Sequence, residues 1–303
     1  MNQRQADGLL ILVTVFWGSS YLFMKMGLSG MNAFHLIAWR FAIAFLLTGI
    51  IFSKKLFRSD WQTLRYGALL GALLLGVFST LMWGIRTTSA AKAGFLVSLT
   101  IVFVPLISSV ILRKKIGKMI ACSLLLAIGG IFLLTFHGLT LTFSSGDSWC
   151  VAAAFFNACY IIAADRFTKR SDTITLGIWQ LGFTAAFAAI LMLIFEPSQW
   201  PEGESSWIAV LGLGILCSAV GYTLQSVAQG HTTSVHAGLI FALEPVFAAG
   251  FALLFAGENL SVSGWLGASL ILLSVLVSEW HPNGGKTVRQ VLLRQSRSII
   301  QKH

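Results

Sequence analysis

Ten runs of about 20 mainly apolar residues, the length a helix needs to cross a bilayer, dominate this chain. They fall at 7–27, 33–52, 64–86, 89–112, 117–136, 147–166, 173–195, 206–228, 232–256 and 261–280. Backbone surrounded by lipid must satisfy its own hydrogen bonds, so only helices or closed barrels can span. These runs are too long for barrel strands and lack their polar alternation. The fold class expected is an all-α membrane protein with ten transmembrane helices. Linkers such as Thr87-Thr88 and Gln229-Gly230-His231 are so short that neighbouring helices must run antiparallel. The first run follows Arg4, is about twice as long as a signal-peptide core and has no small-residue cleavage site behind it, so it reads as a retained span.

Composition closes off the other classes. Only 11% of residues are charged and 56% are hydrophobic, whereas soluble chains carry roughly 25% charged residues and disordered ones are apolar-poor. Cys122, Cys150, Cys159 and Cys217 are scattered through apolar runs and make no disulfide framework. The net charge of +10 lies between greasy segments rather than on one face, so it does not point to nucleic acid.

The basic residues set the expected orientation. With a cytoplasmic N-terminus, 17 of the 21 Lys and Arg residues fall in cytoplasmic loops or tails, among them Lys54, Lys55, Arg58, Lys114, Lys169 and Arg170. The other four, Lys25, Arg40, Arg86 and Lys92, lie within spans or at their ends. External loops carry Asp147, Glu196, Glu202, Glu204 and Glu258. This positive-inside bias places both termini in the cytoplasm, and missing one helix would scramble the alternation.

The chain also repeats itself. A shift of 144 aligns Thr88 with Thr232, Ala93-Gly94 with Ala237-Gly238 and Phe103 with Phe247. Shifts of 139 and 140 align Tyr21 with Tyr160 and Trp39-Arg40 with Trp179-Gln180. Five spans per copy is an odd number, so the second copy inserts upside down. The domains expected are an inverted pair, 1–139 and 140–281, followed by a basic cytoplasmic tail, 282–303. Inverted repeats of this kind recur in transporters, with the site near the midplane where the halves meet.

The same residues carry a family resemblance. Phe16-Trp17-Gly18 with Tyr21, Trp39-Arg40-Phe41, and Leu243-Glu244-Pro245 followed by Gly257-Glu258 resemble the EamA branch of the drug/metabolite transporter superfamily, over about residues 7–280. The resemblance implies export of small metabolites, often amino acids or related compounds, across a bacterial inner membrane through a central cavity. It names no substrate.

Several groups inside spans are candidates for the site, because polar and ionisable residues are costly there. Arg40 lies about eight residues into its span. It could anchor a substrate carboxylate through its two-pronged guanidinium, or it could snorkel to headgroups. Glu244, mid-span and followed by Pro245, could carry a proton, receive a substrate amine or hold a gate. His236 lies two turns earlier and roughly on the same face, so it could relay protons to Glu244 or simply sit wetted at a helix end. Lys92 could draw anions to the outer mouth or serve as an interfacial lysine.

Trp17, Tyr21, Trp39, Trp83 and Trp179, with Gln180 beside the last, suit a pocket for an amphipathic solute. The repeat would set Trp39 and Trp179 on opposing walls of it; packing or lipid contact is the alternative for each. Pro105 and Pro245 would interrupt corresponding spans, which marks sites and gates. Gly67 and Gly71 form a small-residue packing face. The tail after Pro282-Asn283-Gly284-Gly285 could form an interfacial helix on anionic lipids or fray.

No metal-ligand cluster, cofactor motif or phosphate-binding loop ending in Gly-Lys-Ser/Thr is present, so neither catalysis nor an ATP motor is expected. The partners expected are a small-molecule solute and membrane lipids, with a homodimer through glycine faces conceivable. The function expected is secondary transport by alternating access. The rivals are a lipid or polyprenyl-carrier flippase, and a membrane enzyme or sensor.

Overall fold

In the computed structural model the described residues are 1–85, 87, 90–112, 117–135, 144–197, 200–201, 203–256 and 262–279. The side chain of Lys92, together with Glu258 and the tail 281–303, lies outside what is described. Fourteen α-helices and one π-helix account for nearly all of these residues, with no strand among them. They are α1 (Gln3–Leu28), α2 (Ala33–Ile51), the short α3 (Ser53–Leu56), α4 (Trp61–Ile85), α5 (Ala90–Ser98), α6 (Thr100–Leu112) and α7 (Lys118–Thr135). The second half holds α8 (Ser145–Thr168), α9 (Thr173–Phe195), α10 (Gly203–Leu211), the π-helix (Gly212–Val220), α11 (Gly221–Gln229), α12 (Ser234–Phe241), α13 (Glu244–Ala256) and α14 (Val262–Glu279).

Seven segments are long and apolar enough to cross a membrane: Gln3–Leu28, Ala33–Ile51, Trp61–Ile85, Ser145–Thr168, Thr173–Phe195, Gly203–Gln229 and Ser234–Phe255. They begin and end within four residues of the corresponding sequence runs. The remaining expected spans appear as shorter apolar helices, Leu96–Val110, Lys118–Leu133 and Val262–Val277. The count at spanning length is therefore seven among the described residues, against the ten expected.

Two of the spans are broken, at matching places. The chain leaves helical geometry at Leu99, between α5 and α6, and at Ala242-Leu243, between α12 and α13. Leu99 and Leu243 are 144 residues apart, the shift of the repeat. In both, the leucine carbonyl receives two N–H groups, Val102 and Phe103 at Leu99, and Val246 and Phe247 at Leu243. Proline explains only one break. Pro245 occupies the first turn of α13, where its missing N–H costs nothing. Pro105 sits within α6 rather than interrupting its span as expected, and the break falls one and a half turns earlier.

Each half contributes to the packing of the other. α1 lies against the π-helix and α11, and against α12 and α13; α8 lies against α4, and against α5 and α6. α2 packs on α9, and α7 on α14. Glycines allow the closest crossings. A Cβ on Gly18 would stand 2.7 Å from the Cβ of Phe247, and one on Gly67 would stand 2.7 Å from the Cβ of Trp179. The Gly67/Gly71 face is thus occupied by α9 within the chain. Because the obstacle at Gly67 is a Cβ rigidly attached to backbone, Gly67→Ala should destabilise by about 1–3 kcal/mol. Thermal unfolding in detergent would register this as a lowered Tm, and an unchanged Tm would show that the helices can separate freely.

Apolar side chains line both the inside and the outside of the bundle. Leu10, Phe41, Leu70, Leu74, Ile161, Leu176, Leu181 and Leu213 are fully buried, while Leu46, Ile50, Leu193, Leu254 and Leu276 are more than half exposed. A surface this greasy needs a hydrocarbon solvent.

Candidate functional site

The first turn of α13, the middle of α1 and α2, and the π-helix converge in the interior. Arg40 of α2 is only 2% exposed. Its Nε donates to Ser218 Oγ at 3.0 Å, and its guanidinium carbon lies 4.6 Å from the ring centre of Phe78 and 4.9 Å from that of Phe41. These contacts hold the plane of the guanidinium, but its Nη1 finds no hydrogen-bond partner in the protein. Snorkelling to headgroups is excluded by that burial.

Glu244 belongs to the same part of the interior. It opens α13, at the positive end of that helix's dipole, and it interacts with the hydroxyl of Tyr21. The charges of Arg40 and Glu244 both act on Tyr222 and on Cys217, so the two lie around one locus. Tyr21 and Glu244 are both half-buried side chains.

Trp17 supplies the apolar wall. Its ring centre is 5.1 Å from Tyr222 and 5.1 Å from Phe241, and its indole Nε1 donates to the Cys217 carbonyl at 3.1 Å. That carbonyl belongs to the π-helix, whose i+5 pattern widens the coil at functional sites. Gly221 makes room for the indole: a Cβ there would stand 2.9 Å from Trp17 Nε1.

The other expected residues lie elsewhere. Trp39 packs against Trp200 and Trp207, at 5.4 and 6.0 Å, and Trp83 against Phe34 and Trp149. Trp179 donates to Ser59 Oγ at 2.7 Å and packs on Phe45 and Phe183. Trp39 and Trp179 therefore do not face one another across a cavity. Each lies early in its helix, and because the start of α2 meets the end of α9, where His35 contacts Glu196, these two positions fall at opposite ends of the bundle. Gln180, fully buried, joins Tyr160 and Ser226. His236 lies against Asp7, Nε2 to Oδ1 at 3.1 Å, and the break at Ala242-Leu243 separates its helix from the one that Glu244 opens.

Sequence reasoning missed Ser218, Tyr222, Phe78 and Phe241. A polar or aromatic residue in an apolar run was a visible signal for the first two; the phenylalanines look like any core residue. It also missed Glu196, which accepts the N–H groups of Phe34 and His35 at 3.0 Å each and lies 2.8 Å from His35 Nδ1, tying α9 to the start of α2.

An open cavity of about 470 Å³ lies at the basic end, lined by Arg58, Asp60, Thr63, Lys169, Arg170 and Asp172 among others. Asp172 caps α9. Burial pushes its carboxyl up, but bonds from the Thr175 hydroxyl and N–H and the Lys55 ammonium outweigh this and leave it below the usual range. A lowered value contributes stability that is present above the ordinary Asp pKa of about 3.9 and is lost as pH falls through the lowered value. Asp172→Ala should cost about 1 kcal/mol at neutral pH. The Tm gap from the parent protein should narrow in acid; a gap that stays constant down to acid pH would remove the charge from that account.

The sequence profile described as "EamA-like transporter family" matches twice, over residues 4–136 and 144–280. The chain belongs to this family. An uncharacterized transporter of Archaeoglobus fulgidus is 28% identical over 91% of this chain and 86% of its own, and one of Synechocystis is 26% identical over 90% of each. A chloroplastic WAT1-related protein of Arabidopsis thaliana is 27% identical over 88% of this chain and 67% of its own. A solved crystal structure, 21% identical, superposes with a TM-score of 0.77 over 91% of this chain and 96% of that one, which is agreement of fold. The protein is a multi-pass membrane protein of a transporter family.

Proposed function

We propose that this EamA-family protein is a secondary transporter that exports small organic zwitterions, such as amino acids or related amphipathic compounds, by alternating access. The observation that carries this is a buried guanidinium with an unpartnered Nη1, facing the same interior locus as a carboxyl and an aromatic wall. An isolated cation in the membrane interior is costly. A solute carboxylate that completes Arg40, with its amine toward Glu244, removes that cost. Trp17, Tyr222 and Phe241 then cover the remainder of the solute.

The mechanical reading rests on the repeat, taken as two oppositely inserted five-helix units at 1–139 and 140–281, with the basic tail 282–303 behind them. It is supported by breaks 144 residues apart, and by the way α1 and α8 each pack on the third and fourth spans of the opposite half. The basic end faces the cytoplasm of a bacterial inner membrane, and hinging at Leu99 and Ala242-Leu243 exposes the site to each side in turn. The outward direction rests on family resemblance.

Solute counterflow in proteoliposomes tests the reading, with candidate zwitterions chosen by screening overexpressing cells against toxic amino-acid analogues. Exchange of zwitterions that fails when the carboxylate is esterified is the expected result. Absence of zwitterion exchange alongside lipid scrambling in the same vesicles would replace the reading with a flippase.

A further inference from the structure

Beyond Tyr222, the face of α11 carries polar groups that the Arg40–Glu244 site does not use. Tyr222, Gln225, Ser226 and Gln229 are spaced three and four residues apart and share one side of the helix. Gln225 and Gln229 are fully buried and Ser226 nearly so. They meet Tyr160 of α8 and Gln180 of α9. The Tyr160 hydroxyl lies 3.0 Å from Gln180 Oε1 and 3.1 Å from Gln225 Oε1, and Gln180 Nε2 donates to Ser226 Oγ at 3.1 Å.

This cluster is one partner short. A phenol has a single proton, so Tyr160 can donate to only one of the two amides. The Gln180 NH2 is already given to Ser226, so any turning of an amide falls to Gln225. Whichever way that amide points, one of its polar atoms is left over; with Oε1 on the phenol it is Nε2 that has no partner. One turn further on, Gln229 reaches the Ile161 carbonyl with Nε2 at 3.5 Å, and its Oε1 has no partner. A buried amide donor and a buried amide acceptor, one turn apart, each carry an unrecovered desolvation cost. Leucine at either place would carry none.

The cluster adjoins the site through Tyr222, whose ring centre is 5.1 Å from Trp17 and 6.1 Å from Tyr160. One helical turn, about 5.4 Å, separates Tyr222 from the level of Gln225 and Ser226. No charged residue belongs to the cluster, so an ion placed there would have no counter-charge. An apolar group would leave the orphans unpaired.

We propose that Tyr160, Gln180, Gln225 and Gln229 form an uncharged subsite that receives a hydroxyl or carboxamide group on the solute whose charged head sits at Arg40 and Glu244. This rests on the zwitterion reading of that head site. A neutral group with both a donor and an acceptor satisfies the two orphaned amide atoms together. Sites built to hydrogen-bond such a group reject analogues that lack it.

The test is competition in proteoliposome counterflow using near-isosteric pairs, threonine against valine and asparagine against leucine, with the full-length protein and its Gln225→Leu, Gln229→Leu and Gln229→Asn variants. The parent protein should favour the polar member of each pair by about tenfold or more. The leucine variants should bring that ratio toward one by weakening the polar member alone, and Gln229→Asn should restore part of it. A parent ratio near one, or variants that depress both members equally, would overturn the subsite. Failure of the head-site reading looks different: none of the four compounds is exchanged, or all are exchanged without regard to Arg40→Ala. If exchange depends on Arg40 but shows no polar preference, the subsite alone falls.

Discussion

Arg40→Ala should lower counterflow of a carboxylate-bearing solute by about 100-fold, which corresponds to the ~3 kcal/mol of a lost charge-assisted pair, in protein that still inserts and folds. Structure and function separate well at this position. The parent protein gains one hydrogen bond to Ser218 and two ring contacts from Arg40, but it also holds an unpartnered Nη1. Removing the side chain therefore relieves a burial cost as it deletes packing, and the Tm should move little. Arg40→Lys keeps a cation but loses the Nε bond and the flat face laid on Phe78, so a loss of about tenfold is expected. Comparing each solute with its methyl ester supplies the internal control: the ester should already be poor for the parent protein and no poorer for Arg40→Ala. Undiminished counterflow in Arg40→Ala would remove this residue from the solute's path.

Glu244→Gln should flatten the pH dependence of transport to less than about twofold, because a single positioned carboxyl commonly governs a far larger proton-linked effect. Glutamine preserves the shape and can still bond the Tyr21 hydroxyl, so the turn at Ala242-Leu243 should keep its geometry. What glutamine lacks is a proton to take up and release. Initial rates measured with and without an imposed proton gradient read this directly. A full pH response in the variant, together with weaker binding of aminated solutes, would leave Glu244 as the amine contact and discard proton coupling.

Comparison of particular residues shows where the sequence was informative. α9 begins at Thr173 and ends at Phe195, as its apolar run predicts. The length of such a run is a local property set by hydrocarbon thickness. Arg40 and Glu244 were legible as anomalies, because an ionisable group inside an apolar run stands out without any structure. Trp39 and Trp179 were not placed correctly. The repeat conveys how far along its own helix a residue lies, but not that α2 and α9 run antiparallel, which sets two early positions at opposite ends. Pro105 misled for a related reason: proline permits a break nearby without dictating its residue.

Membrane class, helical content, the approximate limits of the spans and the duplication were determined by sequence alone, since run length, charge spacing and self-similarity are written along the chain. Tertiary structure alone decided that Arg40 leans on Ser218, 178 residues away, that Trp17 closes on a carbonyl of a π-helix 200 residues away, and that Gln225 and Gln229 are left short of partners. Those relations depend on how helices rotate against one another, and that rotation is settled by the shapes of side chains and the glycine gaps between them, which no one-dimensional pattern records.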